Sequence, residues 1–300
     1  MTSAVVFGYG GFGHAGLAAV LRAGINVAQV FSHADSPDEN CWWPSLTALT
    51  RERNLPVTLD ADLKDDSPAG PGARLQAIRP DFIFSFYFRH LLGERLLAHA
   101  QRGAYNLHGS LLPLFRGRAP INWQLVHGAL RSGLTLHRMV RKADAGDIAA
   151  QEAIDVHADQ DAYGLTLQLL ELAPGFLDRA LAGLLSDRAV ERTQDHAQAT
   201  VFGRRTPADG RLDWAKPARA VHNLVRAVAP PWPGAFTDHG GEKLIVARTR
   251  VVAETGRLGE PGAVIAPDTV ACGQGAIAIL SAFRASGAVR LVTGDRCATS

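Results

Sequence analysis

Residues 81–108 read DFIFSFYFRHLLGERLLAHAQRGAYNLH. Asp81–Phe86 is an apolar, β-prone run, Leu91–Ala100 is rich in helix formers, and Ala104–His108 is again β-prone. Strand, helix, strand at this spacing reads as a βαβ unit, which requires parallel strands covered by helices on both faces. Upstream the same alternation holds. Ala4–Phe7 is an apolar strand ending in glycines, Leu17–Leu21 reads helical, Val27–Phe31 is a strand and Pro44–Arg53 a helix. Downstream, Pro120 opens a helix over Ala119–Val126, where its missing N–H does no harm. Leu134–Val140 is a strand candidate, and Gly164–Leu185 is a Leu-rich helix that Pro174 is expected to kink or split.

The character changes near residue 200. FGRRTPADGRLDW has no sustained period, and short β-prone runs follow one helical segment, Ala218–Ala227. These runs, Lys243–Val246, Arg248–Val252, Gly262–Ile265, Ala276–Leu280 and Val289–Val292, are separated by Gly and Pro, the signature of a small barrel or sandwich. The expected architecture is therefore α/β. A Rossmann-like, mostly parallel sheet over 1–203 precedes a β-rich, barrel-like (OB-like) domain over 204–300.

Composition narrows the function. Hydrophobic residues are 47% and charged residues 20% of the 300, with formal net charge +2, so no strong field points to nucleic acid or membrane. Three cysteines, Cys41, Cys272 and Cys297, with no C-x-x-C pair speak against a disulfide framework or a zinc site. The N-terminus lacks the pattern of a signal peptide, and no apolar run reaches membrane-spanning length. A cytoplasmic protein without metal and without membrane insertion is expected; no protein partner is legible.

Gly8, Gly10 and Gly13 fit G-x-G-x-x-G between a strand and a helix, the context of a dinucleotide fingerprint. That fingerprint also wants an acid at the end of the second strand. Here Val30-Phe31-Ser32-His33 stands there, and the first acid, Asp35, is already in the loop. The glycines read better as a tight structural or substrate-approach turn than as the site of an NAD-dependent reductase.

Asn106 and His108 lie two apart, so on a strand both project from one face at the edge where open α/β sheets bind ligands. A loop containing Gly109, Ser110, Pro113, Arg116, Gly117, Arg118 and Pro120 follows, suited to an anionic ligand. A second segment, KADAGD (Lys142–Asp147), reads as an Asp-x-Gly turn that could present Asp144 at the same edge, although most such turns are only surface turns.

The segments NLHGSLLPLFRGRAP and KADAGD resemble the N-x-H-x-S-L-L-P signature and distal Asp-x-Gly loop of the folate-dependent formyltransferases. That family includes enzymes acting on methionyl-tRNA, glycinamide ribonucleotide and amino sugars. FSFYFRHLL, NWQLVHG, TLHRMVRKADAGDI, FGRRTPADGRLDW and VHNLVRAVAPPWPGAF are similar to the branch that formylates UDP-4-amino-4-deoxy-L-arabinose for lipid A, a modification linked to polymyxin resistance. In that branch a UDP-glucuronic acid dehydrogenase domain follows the transferase; this chain ends at Ser300 and is expected to act without it.

The resemblance implies catalysis by Asn106, His108 and Asp144 with 10-formyltetrahydrofolate as co-substrate. It places the folate against His90, Leu91 and Leu92, with Arg118 and Val140, Arg141, Lys142, Ala143 and Asp144 nearby. Gly10, Ser110, Arg116, Arg204 and Arg205 are candidates for the nucleotide sugar. A tRNA acceptor would need cations against phosphate. Between Ala23 and Thr50 there is no Lys or Arg, while Asp35, Asp38 and Glu39 follow the second strand. Residues 206–300 hold 11 Lys+Arg against 8 Asp+Glu, a net of +3, mild for an RNA-binding module. The expected partners are folate and a UDP-amino sugar rather than nucleic acid. A methionyl-tRNA acceptor, another amino sugar nucleotide, an NAD-dependent reductase and a catalytically dead folate- or nucleotide-binding module are the alternatives.

Overall fold

The computed structural model describes residues 1–35, 40–65, 67, 70–186 and 190–298. It divides into two compact units. The first comprises 1–117, 133–154 and 168–201; the second comprises 118–132, 155–167 and 202–300. The second unit thus draws two segments from before residue 204.

In the first unit the elements are β1 (Ser3–Gly8), α1 (Gly10–Arg22), β2 (Asn26–Ser32), α2 (Leu46–Glu52), β3 (Val57–Leu59), α3 (Pro71–Ile78), β4 (Phe82–Phe86), α4 (Glu94–Leu97), β5 (Gly103–His108) and β6 (Arg116–Gly117). Helix α5 (Pro120–Val126) belongs to the second unit. Strands β7 (Arg131–Arg138) and β8 (Ile148–Asp155) and helix α6 (Ala162–Leu185) follow. The sheet order is β3-β2-β1-β4-β5-β7-β8. Strands β3, β2, β1, β4 and β5 run parallel to one another, and β7 runs antiparallel to β5.

Strands β1 and β4 are buried almost throughout because both sheet faces are covered. Phe7 stacks on Phe31 at 4.7 Å, and Phe82, Phe84 and Phe86 form a buried row along β4. The glycine cluster serves this packing. A Cβ on Gly13 would come within 3.0 Å of the Gly8 backbone, and one on Gly16 within 2.3 Å of the Phe86 ring. Two expected helices are shorter than their periodicity suggests: α2 starts at Leu46, and α4 is a single turn that leaves Leu91 and Leu92 in the preceding loop. Helix α6 runs through Pro174 unbroken.

The second unit holds α7 (Ala218–Val228), packed on α5, and the strands β10 (Ala235–His239), β11 (Glu242–Ala253), β12 (Val264–Ala266), β13 (Thr269–Ala271), β14 (Ala276–Arg284) and β15 (Gly287–Ala288); β9 (Val201–Phe202) lies where the two units meet in sequence. The antiparallel order is β10-β11-β14-β13-β12. The two expected strands Lys243–Val246 and Arg248–Val252 are one long strand, β11, with register shifts near Arg248. The run Val289–Val292 is not a strand; β15 ends before it. Residues 295–298 bond to Gly262 and Val264 on one side and to Asp238 on the other, so the tail joins both edges of the sheet. Trp214 is fully buried and its indole N–H donates to Thr237 Oγ1 at 3.0 Å.

No described helix is long and apolar enough to cross a membrane, and no described cluster of His, Cys, Asp and Glu could hold a metal ion.

Candidate active site

Strand β5 delivers Asn106 and His108 to the C-terminal edge of the sheet, and β7 runs back beside it. The register pairs Asn106 with His137 and His108 with Thr135. His137 is buried, and its Nδ1 lies 2.9 Å from the Arg138 carbonyl. A carbonyl only accepts, so the neutral ring carries its proton on Nδ1. His137 Nε2 then accepts from the Asn106 amide nitrogen at 3.1 Å. This fixes which way the Asn106 amide points, and one N–H of that amide remains for a ligand.

His108 is turned by a similar constraint. Its Nε2–H donates to the Phe115 carbonyl at 2.8 Å, which leaves the Nδ1 lone pair directed at Asp144 Oδ1, 3.7 Å away. Asp144 sits in the left-handed region at φ 54°, where its Oδ2 accepts from Gly117 N–H at 2.8 Å. Its Oδ1 also stands 3.4 Å from His137 Nε2. Burial lowers the pKa of His108 more than the Asp144 charge raises it. Burial pushes Asp144 up, but the facing His108 ring and the Gly117 N–H hold it well below the usual carboxylate range. Near neutral pH the cluster is therefore a neutral imidazole facing a carboxylate, with a lone pair available on Nδ1.

Other expected site residues take varied places. Ser110 is fully buried and donates to the Leu114 carbonyl at 2.7 Å, so it holds the loop. Arg116 was expected to face an anionic ligand. Instead it is 1% exposed and its Nε and Nη2 donate to Gln194 Oε1 at 3.2 and 2.6 Å. Its Nη2 also meets His196 Nδ1 at 2.9 Å, and its Nη1 is buried without a hydrogen-bond partner among the described residues. Arg118 is exposed and belongs to the second unit, where its backbone N–H donates to the Phe202 carbonyl. Arg204 is exposed. Arg205 lies over the Trp123 ring at 4.5 Å and donates to the Asp209 carbonyl, so it is pinned against a ring that also stacks with Phe202.

Gly10 has φ +62°, and its missing Cβ would contact Trp43, whose indole N–H is buried without a partner among the described residues. Trp43 packs edge-on against Trp42 and Tyr9. In the loop after β4, His90 is exposed and its ring lies 5.0 Å from that of His33. Leu91 is 78% exposed, while Leu92 packs in the core. In the turn after β7, Val140, Arg141 and Lys142 are exposed and Ala143 is half-buried. Asp38 and Glu39 lie outside the described residues; Asp35 accepts from Ser45 Oγ.

Two members of the cluster, His137 and Gln194, have no counterpart in the sequence reading. His137 could have been found from its place on the same face of a strand as Thr135, had the antiparallel pairing with β5 been known. Gln194 carries no local signal. It is 4% exposed, and its Nε2 donates to the carbonyls of Asp144 at 2.9 Å and Gly146 at 2.6 Å.

The arrangement offers one amide N–H for developing negative charge, one imidazole lone pair and one carboxylate, a set suited to attack on a carbonyl by a nucleophile that must lose a proton. Residues 5–181 match the sequence profile of formyl transferase, and residues 204–289 match that of the formyl transferase C-terminal domain. The chain belongs to the formyl transferase family. Among solved structures it is similar to WlaRD, a sugar 3N-formyl transferase solved with dTDP and 5-N-formyl-THF, at TM-score 0.71 and 16% identity over 97% of this chain and 98% of that one. An N-formyltransferase from Helicobacter canadensis, in complex with folinic acid and dTDP-3-aminofucose, matches at TM-score 0.72 and 14% identity over 92% and 98%. HypX from Aquifex aeolicus, in complex with tetrahydrofolic acid, matches at TM-score 0.60 and 17% identity over 96% of this chain and 46% of that one. At these identities the likeness is one of fold.

Proposed function

We propose that this formyl transferase joins a formyl carbon to the amine of a nucleotide-linked amino sugar, with UDP-4-amino-4-deoxy-L-arabinose as the first acceptor to test. The observation that carries the reading is the unengaged chemistry at one sheet edge: a free Asn106 N–H, a His108 Nδ1 lone pair and an ionised Asp144 within 3.7 Å of that nitrogen. 10-Formyltetrahydrofolate, when bound, supplies the formyl carbon and the leaving nitrogen. The first unit fits such a ligand. Leu91 and Val140 are both exposed apolar side chains, of the kind a flat pterin can rest against. Leu92 anchors the same loop in the core.

The residues divide the work. Asn106 donates its free N–H to the carbonyl oxygen as that oxygen gains negative charge, a contribution of about a hundred- to a thousandfold in rate. His108 accepts the amine proton on Nδ1 and returns a proton to the leaving nitrogen, since Nε2 is committed to Phe115. Asp144 stabilises the imidazolium that forms between those two events. His137 holds the Asn106 amide in the donating orientation.

Charge supports a small anionic acceptor over tRNA. No Lys or Arg occurs from Ala23 to Thr50, and residues 206–300 carry a net of only +3. The similar proteins solved with dTDP or dTDP-3-aminofucose favour a nucleotide sugar in general. The sequence segments that resemble the aminoarabinose branch favour the UDP sugar, and with it a cytoplasmic step of lipid A modification and polymyxin resistance. The test is formyl transfer from 10-formyltetrahydrofolate to UDP-4-amino-4-deoxy-L-arabinose, dTDP-amino sugars and methionyl-tRNA, followed by absorbance of the released folate. Turnover with the UDP sugar is expected. Turnover with methionyl-tRNA alone would overturn the acceptor assignment.

A further inference from the structure

The Asp144 carboxylate is useful only where it stands, and its backbone is not one that settles there by itself. Few non-glycine residues occupy the left-handed region, aspartate and asparagine more often than the rest, and mostly where a local contact holds them. The turn that holds it also approaches the neighbouring strand closely, since a Cβ on Gly146 would lie 2.0 Å from the Arg138 carbonyl. Something outside the turn must hold both residues.

The segment after α6 is fixed to the sheet at two points before it reaches this turn. Glu191 accepts from Arg138 Nε at 2.7 Å and from the Tyr105 hydroxyl at 2.6 Å. Arg192 and Ile148 exchange backbone hydrogen bonds of 2.8 and 2.9 Å. Two residues on, Gln194 is buried with a fully assigned amide. Its Oε1 faces a guanidinium, which only donates, and its Nε2 faces two carbonyls, which only accept. One side chain therefore ties the Asp144–Gly146 turn to Arg116. Arg116 lies in the loop whose Gly117 N–H and Phe115 carbonyl hold Asp144 and His108.

We infer that Gln194 is a positioning residue: by clamping the Asp144–Gly146 turn to Arg116 it sets where the Asp144 carboxylate stands relative to His108 Nδ1. Gln194 touches no reacting atom in this scheme and acts through Asp144. The charged and titratable groups around His108 are Asp144 and His137, with Arg116 and His196 behind the clamp. Gln194 is neutral, so its removal changes none of these charges; it changes only their geometry. The proposal rests on the formyl-transfer reading only for its kinetic arm.

The test compares wild type, Gln194→Met, Asp144→Asn and the double variant. His108 is followed by NMR of its ring Cε1–H, assigned by loss of the signal in His108→Gln; this arm needs no substrate. Gln194→Met should shift the His108 titration downward, in the direction of Asp144→Asn but by less. In turnover it should lower kcat about ten- to a hundredfold, the cost of misplacing a catalytic group by roughly an ångström, with KM for the folate nearly unchanged. In the Asp144→Asn background it should do nothing further to either readout, because the residue it positions is already disabled. An unmoved His108 titration in Gln194→Met, or losses that add in the double variant, would overturn the proposal. If Gln194→Met does not fold, Gln194→Asn keeps the amide one methylene short and must shift the titration in the same direction. A wild type that formylates none of the acceptors tested, with the NMR pattern as expected, would remove the proposed function and leave the clamp standing.

Discussion

His108 in the first unit and His222 in the second are both buried and each faces an aspartate, yet the two are not equivalent. In the second unit His222 Nδ1 lies 2.9 Å from Thr249 Oγ1. Its Nε2 lies 3.4 Å from the Ala158 carbonyl and 3.3 Å from Asp159, which is 70% exposed. Both ring nitrogens are spent on structure. Around it Arg226, also buried, donates to Asn223 and to the carbonyl of Gln160. In the first unit His108 spends one nitrogen on Phe115 and leaves the other 3.7 Å from a half-buried carboxylate. Burial lowers the pKa of both rings, so a perturbed histidine by itself does not mark a site. What separates them is whether a nitrogen is left over.

Replacing His108 with Gln should break the comparison most sharply. Turnover is expected to fall about a hundred- to ten-thousandfold, while His222→Gln leaves kcat within about twofold; equal losses would mean that the first unit has no special claim. Asn106→Leu comes next, with an expected loss of about a hundred- to a thousandfold from a missing donor and little change in folate binding measured by titration.

The pH profile sharpens the same point. His108 must be neutral to accept a proton, and its pKa lies below its ordinary value of 6.5. Thus kcat/KM should stay level near neutrality and fall about tenfold per pH unit only below that lowered pKa. A limb centred above 6.5 would contradict the assignment.

Smaller effects belong to stability. Because both rings resist protonation when folded, the unfolded chain takes up more protons once the pH drops below 6.5, and urea-derived stability should decline from that point. His222→Leu should remove its share of that decline and cost about 1–3 kcal/mol by leaving Thr249 and its neighbours with lost partners. Asp159→Asn should cost less than about 1 kcal/mol, since its carboxylate is largely in water.

Much of this was legible in the amino-acid sequence, and the limits have physical causes. The parallel sheet followed from alternating apolar strands and helices. The nearness of Asn106 and His108 followed from their spacing on one strand. Helix α4 was overestimated because leucines that serve a loop carry the same composition as leucines that serve a helix. Arg116 looked like a free cation because sequence gives charge and not burial. His137 and Gln194 were missed because each is defined by a partner 31 to 78 residues away, and such pairings arise only once the sheet is assembled.

The tryptophans divide by unit: Trp42 and Trp43 fall in the first, Trp123, Trp214 and Trp232 in the second. Each unit thus carries its own optical reporter, and the reporters sit in unlike surroundings. Trp214 is sealed in apolar core with its indole satisfied, so its emission should be blue and should redden only when that core opens. Trp43 stands beside Gly10 with an indole N–H unanswered among the described residues, so its emission should respond to whatever comes to rest against that turn. One excitation wavelength can therefore separate loss of the second unit's core from events at the mouth of the first unit's sheet.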